Sequence, residues 1–323
     1  MNTAPLSLRD FILQDGGAGT PQVRPRPVAL AVALLAFLAL SALASAVVFA
    51  QTGLQLAWGD FQPFIVLAVA MLGLSAFCYK RYDDKRLAHA AAVVGVATLA
   101  LLACGVLSNG GLRLRMPLSD PMLAAIDASF GIHVDAIVQW SVGMPWLIDA
   151  LGVIYNASHL ILAALILWFI IRSHFAKVWE LVATVAFSMQ IVAFVSILMP
   201  AWGAMKHFGL YGLQGNGLPA GAGIYHSETF RALYEGTDPL FTLDSMNGVV
   251  TFPSFHTVLA LLIAQALWLT PLRWLAVALT GATIFSTIPI GGHYVIDLVG
   301  GAAIWLGCAM LANRLTHGKA AAQ

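Results

Sequence analysis

Apolar residues in this chain run in long blocks separated by short polar joints. The first block, Val28 to Ala50, extends 23 residues without a charge. A helix needs about 20 such residues to cross a bilayer. Comparable blocks fall at 28–50, 61–79, 88–107, 150–172, 178–199, 254–271, 273–291 and 293–312. In hydrocarbon each backbone N–H and C=O must be satisfied within its own segment, so these runs predict helices. The expectation is an all-α, multi-pass transmembrane helical bundle of about eight spans.

Two joints are long. In the segment from about 108 to 149, Leu123, Ile126, Phe130, Val134, Ile137 and Val138 recur at helical spacing beside Asp120, Asp127 and Asp135. That pattern predicts an amphipathic surface helix near 120–140. The segment 200–252 is rich in glycine, and a loop of that length is uncommon unless it is functional or disordered. The expected organisation is an N-terminal segment 1–27, transmembrane helices through 28–199, an outer loop 200–252, a helical core 253–312 and a tail 313–323.

Composition supports a membrane protein. Sixty per cent of the residues are hydrophobic and 10% charged, against about 25% charged in soluble domains. Ala44-Ser45-Ala46 resembles a cleavage site, but the run around it exceeds a signal-peptide core of about 7–15 residues, so it is expected to be a retained span. Cys78, Cys104 and Cys308 all lie in apolar runs, without metal-ligand spacing. A net charge of +1 gives no field for nucleic acid.

The basic residues divide unevenly between the two sides. Arg9, Arg24, Arg26, Lys80, Arg81, Lys85, Arg86, Arg172, Lys177, Arg273, Arg314 and Lys319 fall on one side, and Arg113, Arg115, Lys206 and Arg231 on the other. The positive-inside rule predicts cytoplasmic termini in a plasma (inner) membrane.

Two short stretches carry candidate chemistry: Pro253 to Thr257, and Gly291 to Gly301. His293 and Asp297 are four apart and share one helix face. The carboxylate can then hold one imidazole nitrogen and leave the other free to attack. Ser254 and His256 stand at a helix start, where free N–H groups favour an anion. From His256 to His293 the chain makes one helix, a turn at Thr270 to Arg273 and one helix back. Both histidines therefore return to the same face, the outer or periplasmic one by the charge count. One can act as nucleophile and the other as general acid. A lone histidine at a span end or a lone aspartate within one has simpler readings, as an interfacial or helix-pairing residue. A metal site is the other chemical reading, but no further ligand pair completes one.

These residues resemble the last two motifs of the type 2 phosphatidic acid phosphatase superfamily. The matching stretches are Pro253-Ser254-Phe255-His256-Thr257 and the set Ser286, Thr287, His293 and Asp297. The pattern is most similar to the branch containing inositol phosphorylceramide synthase. The resemblance implies a metal-independent, cofactor-free enzyme. In it His293 is the nucleophile, Asp297 orients it, His256 protonates the leaving group and Ser254 binds phosphate. The superfamily's arginine in the third motif is Thr287 here, and its first motif, K-x6-RP, is absent. A phosphoryl group in transfer needs cationic or hydrogen-bonding stabilisation. Lys206 and Arg231 are the expected substitutes, with Thr287 in the arginine's place and His207 and His226 as further donors. His159 and Glu180 are candidates to line the site.

The expected substrate is a membrane lipid phosphate at the outer leaflet, its phosphohistidine resolved by water. A head-group transfer to a lipid hydroxyl is the alternative. An ion-coupled transporter using Asp297, His159 and Glu180 is the reading from another class.

Overall fold

A computed structural model describes residues 27–317. Arg9, Arg24 and Arg26 in the N-terminal segment, and Lys319 in the tail, lie outside the described residues. Within them the chain forms twelve α-helices and two very short strands.

Three long helices come first: α1 (Pro27–Thr52), α2 (Trp58–Arg81) and α3 (Arg86–Gly110). The expected surface helix is instead two helices, α4 (Asp120–Ser129) and α5 (Val134–Val142), bent by 84°. Gly131 at the bend has φ +71°, which interrupts the α conformation at little cost only for glycine. Two further long helices follow, α6 (Pro145–Ile171) and α7 (Phe175–Leu198). The segment 200–252 holds two short helices, α8 (Ala204–His207) and α9 (Ser227–Glu235). The chain ends in α10 (Phe255–Leu267), α11 (Arg273–Ser286) and α12 (Val295–His317).

The all-α bundle is as expected, with a smaller number of full-length spans. Among the described residues six helices (α1, α2, α3, α6, α7 and α12) are long and apolar enough to cross a membrane, and α4 with α5 makes a seventh only if the bent pair is one span. The spans expected at 254–271 and 273–291 contain helices of 13 and 14 residues. At 1.5 Å per residue these reach about 20 Å, short of the roughly 30 Å hydrocarbon core. Their far ends pack with the far ends of α6 and α7, through Leu267, Ala276, Phe169, Ile170 and Val178. The missing length therefore falls at the end that carries the two motifs.

Helix α7 is the axis of the bundle. In its apolar window 72% of residues are buried inside the protein, against 17–28% in the other candidate spans. It packs against α3 on one side and α12 on the other. The outer helices present apolar side chains outward, including Val28, Val153 and Leu160, as a lipid-facing surface requires. Exposed Trp58 and Trp146 sit at helix starts on one end, and exposed Trp268 and Trp274 flank a turn on the other. Tryptophan is enriched at those depths.

The segment 200–252 has a core of its own. Phe230, Leu233 and Phe241 pack with Leu54, Phe61 and Leu112 at the ends of α1, α2 and α3. Strand β1 (Gln55–Leu56) pairs in parallel with β2 (Leu240–Phe241). Arg115 donates to the carbonyls of Tyr234 and Glu235, where α9 ends. That C-terminus is the negative end of the helix dipole, so a cation suits it.

Candidate active site

Helix α10 starts where its sequence suggests. Ser254 is extended (φ −69°, ψ 113°), and its Oγ accepts from Thr257 N at 3.4 Å as an N-cap. Pro253 precedes it. The Ser254 N–H donates to the Asp297 carbonyl at 3.0 Å, joining the two motifs through their backbones. Gly301, one turn beyond Asp297, permits this approach, since a Cβ there would collide with the Ser254 carbonyl oxygen.

His293 and Asp297 form a buried pair. Nδ1 of His293 lies 3.1 Å from Asp297 Oδ2, with the residues 4% and 0% exposed. A carboxylate only accepts, so Nδ1 carries the hydrogen. Nε2 then holds the lone pair and has no hydrogen-bond partner among the described residues. Asp297 Oδ2 also accepts from Tyr294 N at 2.9 Å, while Oδ1 is buried without a partner.

Two aspartates from α4 fasten this turn. Asp127 accepts from Val295 N at 2.7 Å and Ile296 N at 2.9 Å, capping α12 from another helix. Asp120 accepts from Trp202 N and Gly203 N, each at 2.9 Å, and from the Tyr294 hydroxyl at 3.0 Å. Burial and the neighbouring Asp120 hold the Tyr294 phenol well above its ordinary pKa, so it remains a donor. The sequence reading had placed both aspartates on the polar face of a surface helix. Their seven-residue spacing was the available signal, since it puts them on one face two turns apart.

His256 stacks on Tyr155 of α6, ring centroids 3.9 Å apart, and meets His159 edge-on at 5.0 Å. Its Nε2 is buried without a hydrogen-bond partner, and His293 is close enough to act on it electrostatically. His159 thus reaches the site, from an exposed position on α6. Glu180 does not. It binds Gln265, Lys177 and His317 at the opposite end of α12.

The expected phosphate ligands are placed differently from one another. Ser254 is fully buried beside Asp297. Thr287 is also buried, but its hydroxyl donates to Ile284 O at 2.7 Å, and its carbonyl accepts from His293 N at 3.1 Å. Lys206 lies over the Trp202 ring, within electrostatic reach of Asp120 and Arg231. Burial, then the Arg231 charge, lowers the Lys206 pKa. Arg231 itself is exposed. His207 is exposed beside Tyr294, ring centroids 6.1 Å apart. His226 is 3% exposed, and His293 and Lys206 both act on it electrostatically.

The glycine-rich loop is bound to the turn that precedes His293. Gly223 N donates to Ile290 O at 2.7 Å, and Ala204 N to Gly292 O at 2.8 Å. Gly292 has φ +74°, and a Cβ on it would come within 2.8 Å of the Gly223 carbonyl oxygen. Only two glycines allow this contact, which joins the chain three residues before His226 to the residue before His293.

A family model described as the PAP2 superfamily matches residues 121–311. No curated protein and no solved structure matches the chain.

Proposed function

This chain belongs to the PAP2 superfamily, and from that premise we propose that it removes phosphate from a phosphorylated membrane lipid at the outer leaflet through a phosphohistidine on His293. Membership suggests a phosphatase or phosphotransferase of lipid phosphates. The observation that carries the finer reading is the buried contact between His293 Nδ1 and Asp297 Oδ2.

Asp297 fixes the tautomer and stabilises the imidazolium that develops as Nε2 attacks phosphorus. The P–O bond to the lipid breaks, and the departing oxygen takes a proton from His256 Nε2, which no protein group engages. Ser254 and Lys206 offset charge on the phosphoryl oxygens. Water then attacks the phosphohistidine and gives up a proton to a base, the P–N bond breaks, its electron pair returns to Nε2, and His256 regains a proton from solvent. The burial of Ser254, His293 and Asp297 favours a second ending, in which a lipid hydroxyl enters where bulk water is scarce and receives the head group.

The test is inorganic phosphate release by the purified protein from a panel of lipid phosphates. His293→Ala is expected to lose activity by about 10⁴-fold or more while remaining folded. Retained turnover in that variant removes His293 as nucleophile. A histidine-dependent new lipid, formed without phosphate release when a second lipid is added, selects transfer. Orientation is read from Asn216→Cys and Asp83→Cys. An impermeant thiol reagent added outside is expected to label position 216, and labelling of 83 alone reverses the topology.

A further inference from the structure

The mechanism leaves one buried imidazole beside the nucleophile unused. His226 Nε2 lies 3.1 Å from the Trp202 carbonyl. A carbonyl cannot donate, so Nε2 carries the hydrogen and Nδ1 the lone pair. That Nδ1 is buried without a hydrogen-bond partner. Buried polar atoms are rarely left so, and one at a site invites a ligand atom. The Gly223–Ile290 hydrogen bond and the Gly223–Gly292 contact tie the chain three residues before His226 to the residue before His293, and His293 acts on the ring electrostatically.

We propose that His226 is a catalytic base, taking the proton from the hydroxyl that resolves the phosphohistidine. This role rests on the function proposed above. The hydroxyl oxygen bonds to phosphorus, its proton passes to His226 Nδ1, and the P–N bond breaks with the electron pair returning to His293 Nε2. The His226 imidazolium then releases its proton to solvent. His256, against α6, serves the leaving group, while His226, in the loop, serves the entering one.

Burial, more than the surrounding charges, keeps this ring neutral at neutral pH. Burial pushes the His226 pKa down to about 4, opposed by the Trp202 hydrogen bond. His293 and Lys206 also lower it and Asp120 raises it.

The experiment follows radiolabelled phosphate from dioctanoyl phosphatidate onto the full-length protein, with an alkaline denaturing quench because phosphohistidine is acid-labile. His226→Gln keeps an amide donor for the Trp202 carbonyl but lacks the Nδ1 base. Label is expected to form on it within about threefold of the wild-type rate, approach one per chain, and decay about 100-fold more slowly. His293→Ala in the same background abolishes the label. Decay at the wild-type rate, or slow formation without accumulation, overturns the role. Should His226→Gln fail to fold by thermal melting, His226→Asn, which also lacks the base but gives up the Trp202 hydrogen bond, is read for label decay in its place. Absence of turnover on every lipid of the panel, and of label in the wild type, defeats the proposed function itself, and this role with it.

Discussion

Two polar clusters lie along α12, one around Asp297 and one around Glu180, with His256 and Gln265 of α10 about 14 Å apart along that helix, and they differ in how completely they are satisfied. At the far end Glu180 receives Gln265 Nε2 at 2.7 Å, Lys177 at 3.3 Å and His317 at 3.4 Å, while Trp305 Nε1 donates to Gln265 Oε1 at 2.9 Å. Each carboxylate oxygen of Glu180 has a partner. At the near end three atoms are buried without one: Asp297 Oδ1, His256 Nε2 and His226 Nδ1. A satisfied network holds helices together, whereas an unsatisfied one carries a desolvation cost that a ligand can relieve. An ionisable residue within a membrane span is therefore not sufficient to mark chemistry. Glu180 and Asp297 are both acids within apolar runs, and their partners separate them as the His293 spacing of Asp297 does in sequence.

Three changes probe this contrast. The largest effect expected on stability is a pH dependence that belongs to His226. Its folded pKa of about 4 lies below the unfolded value of about 6.5, so between them the unfolded chain binds more protons. The contribution is complete above pH 6.5 and is lost as pH falls towards 4, up to about 3 kcal/mol. Melting of the wild type should therefore fall over that window relative to His226→Gln. Parallel curves would show that His226 is not held neutral.

Next, Asp127→Ala removes the cap from α12 and leaves two N–H groups without acceptors. A stability loss of about 2 kcal/mol is expected, together with slower turnover because His293 sits just before those residues. Lost stability with unchanged turnover would separate the cap from the chemistry. The smallest effect is expected from Glu180→Gln, which preserves shape while removing one charge. It should cost about 1 kcal/mol by thermal or denaturant melting and leave turnover within about twofold. A large loss of turnover would join the two ends and break the comparison.

The structure shows how unevenly the site was legible in sequence. His293 and Asp297 could be paired from their four-residue spacing, because a helix turns every 3.6 residues whatever surrounds it. Ser254 could be read as a cap beside Pro253 for the same local reason. Asp127 could not be joined to Val295, nor Asp120 to Tyr294, because each contact crosses more than 160 residues. Thr287 was expected to face phosphate, yet its hydroxyl bonds one turn back within its own helix. The single surface helix became two because Gly131 adopts a left-handed conformation that periodicity does not register.

Sequence by itself determined the class of the molecule and the pairing of His293 with Asp297. Hydrocarbon acts on each segment separately, so a long apolar run becomes a helix without reference to its neighbours, and residues three or four apart then share a face. Tertiary structure alone decided which side chains surround His293. That depended on where α4 crosses α12, on how closely Gly223 can approach Gly292, and on which buried polar atoms were left without a partner. These are properties of pairs of distant segments, fixed only when the helices and the segment 200–252 have packed.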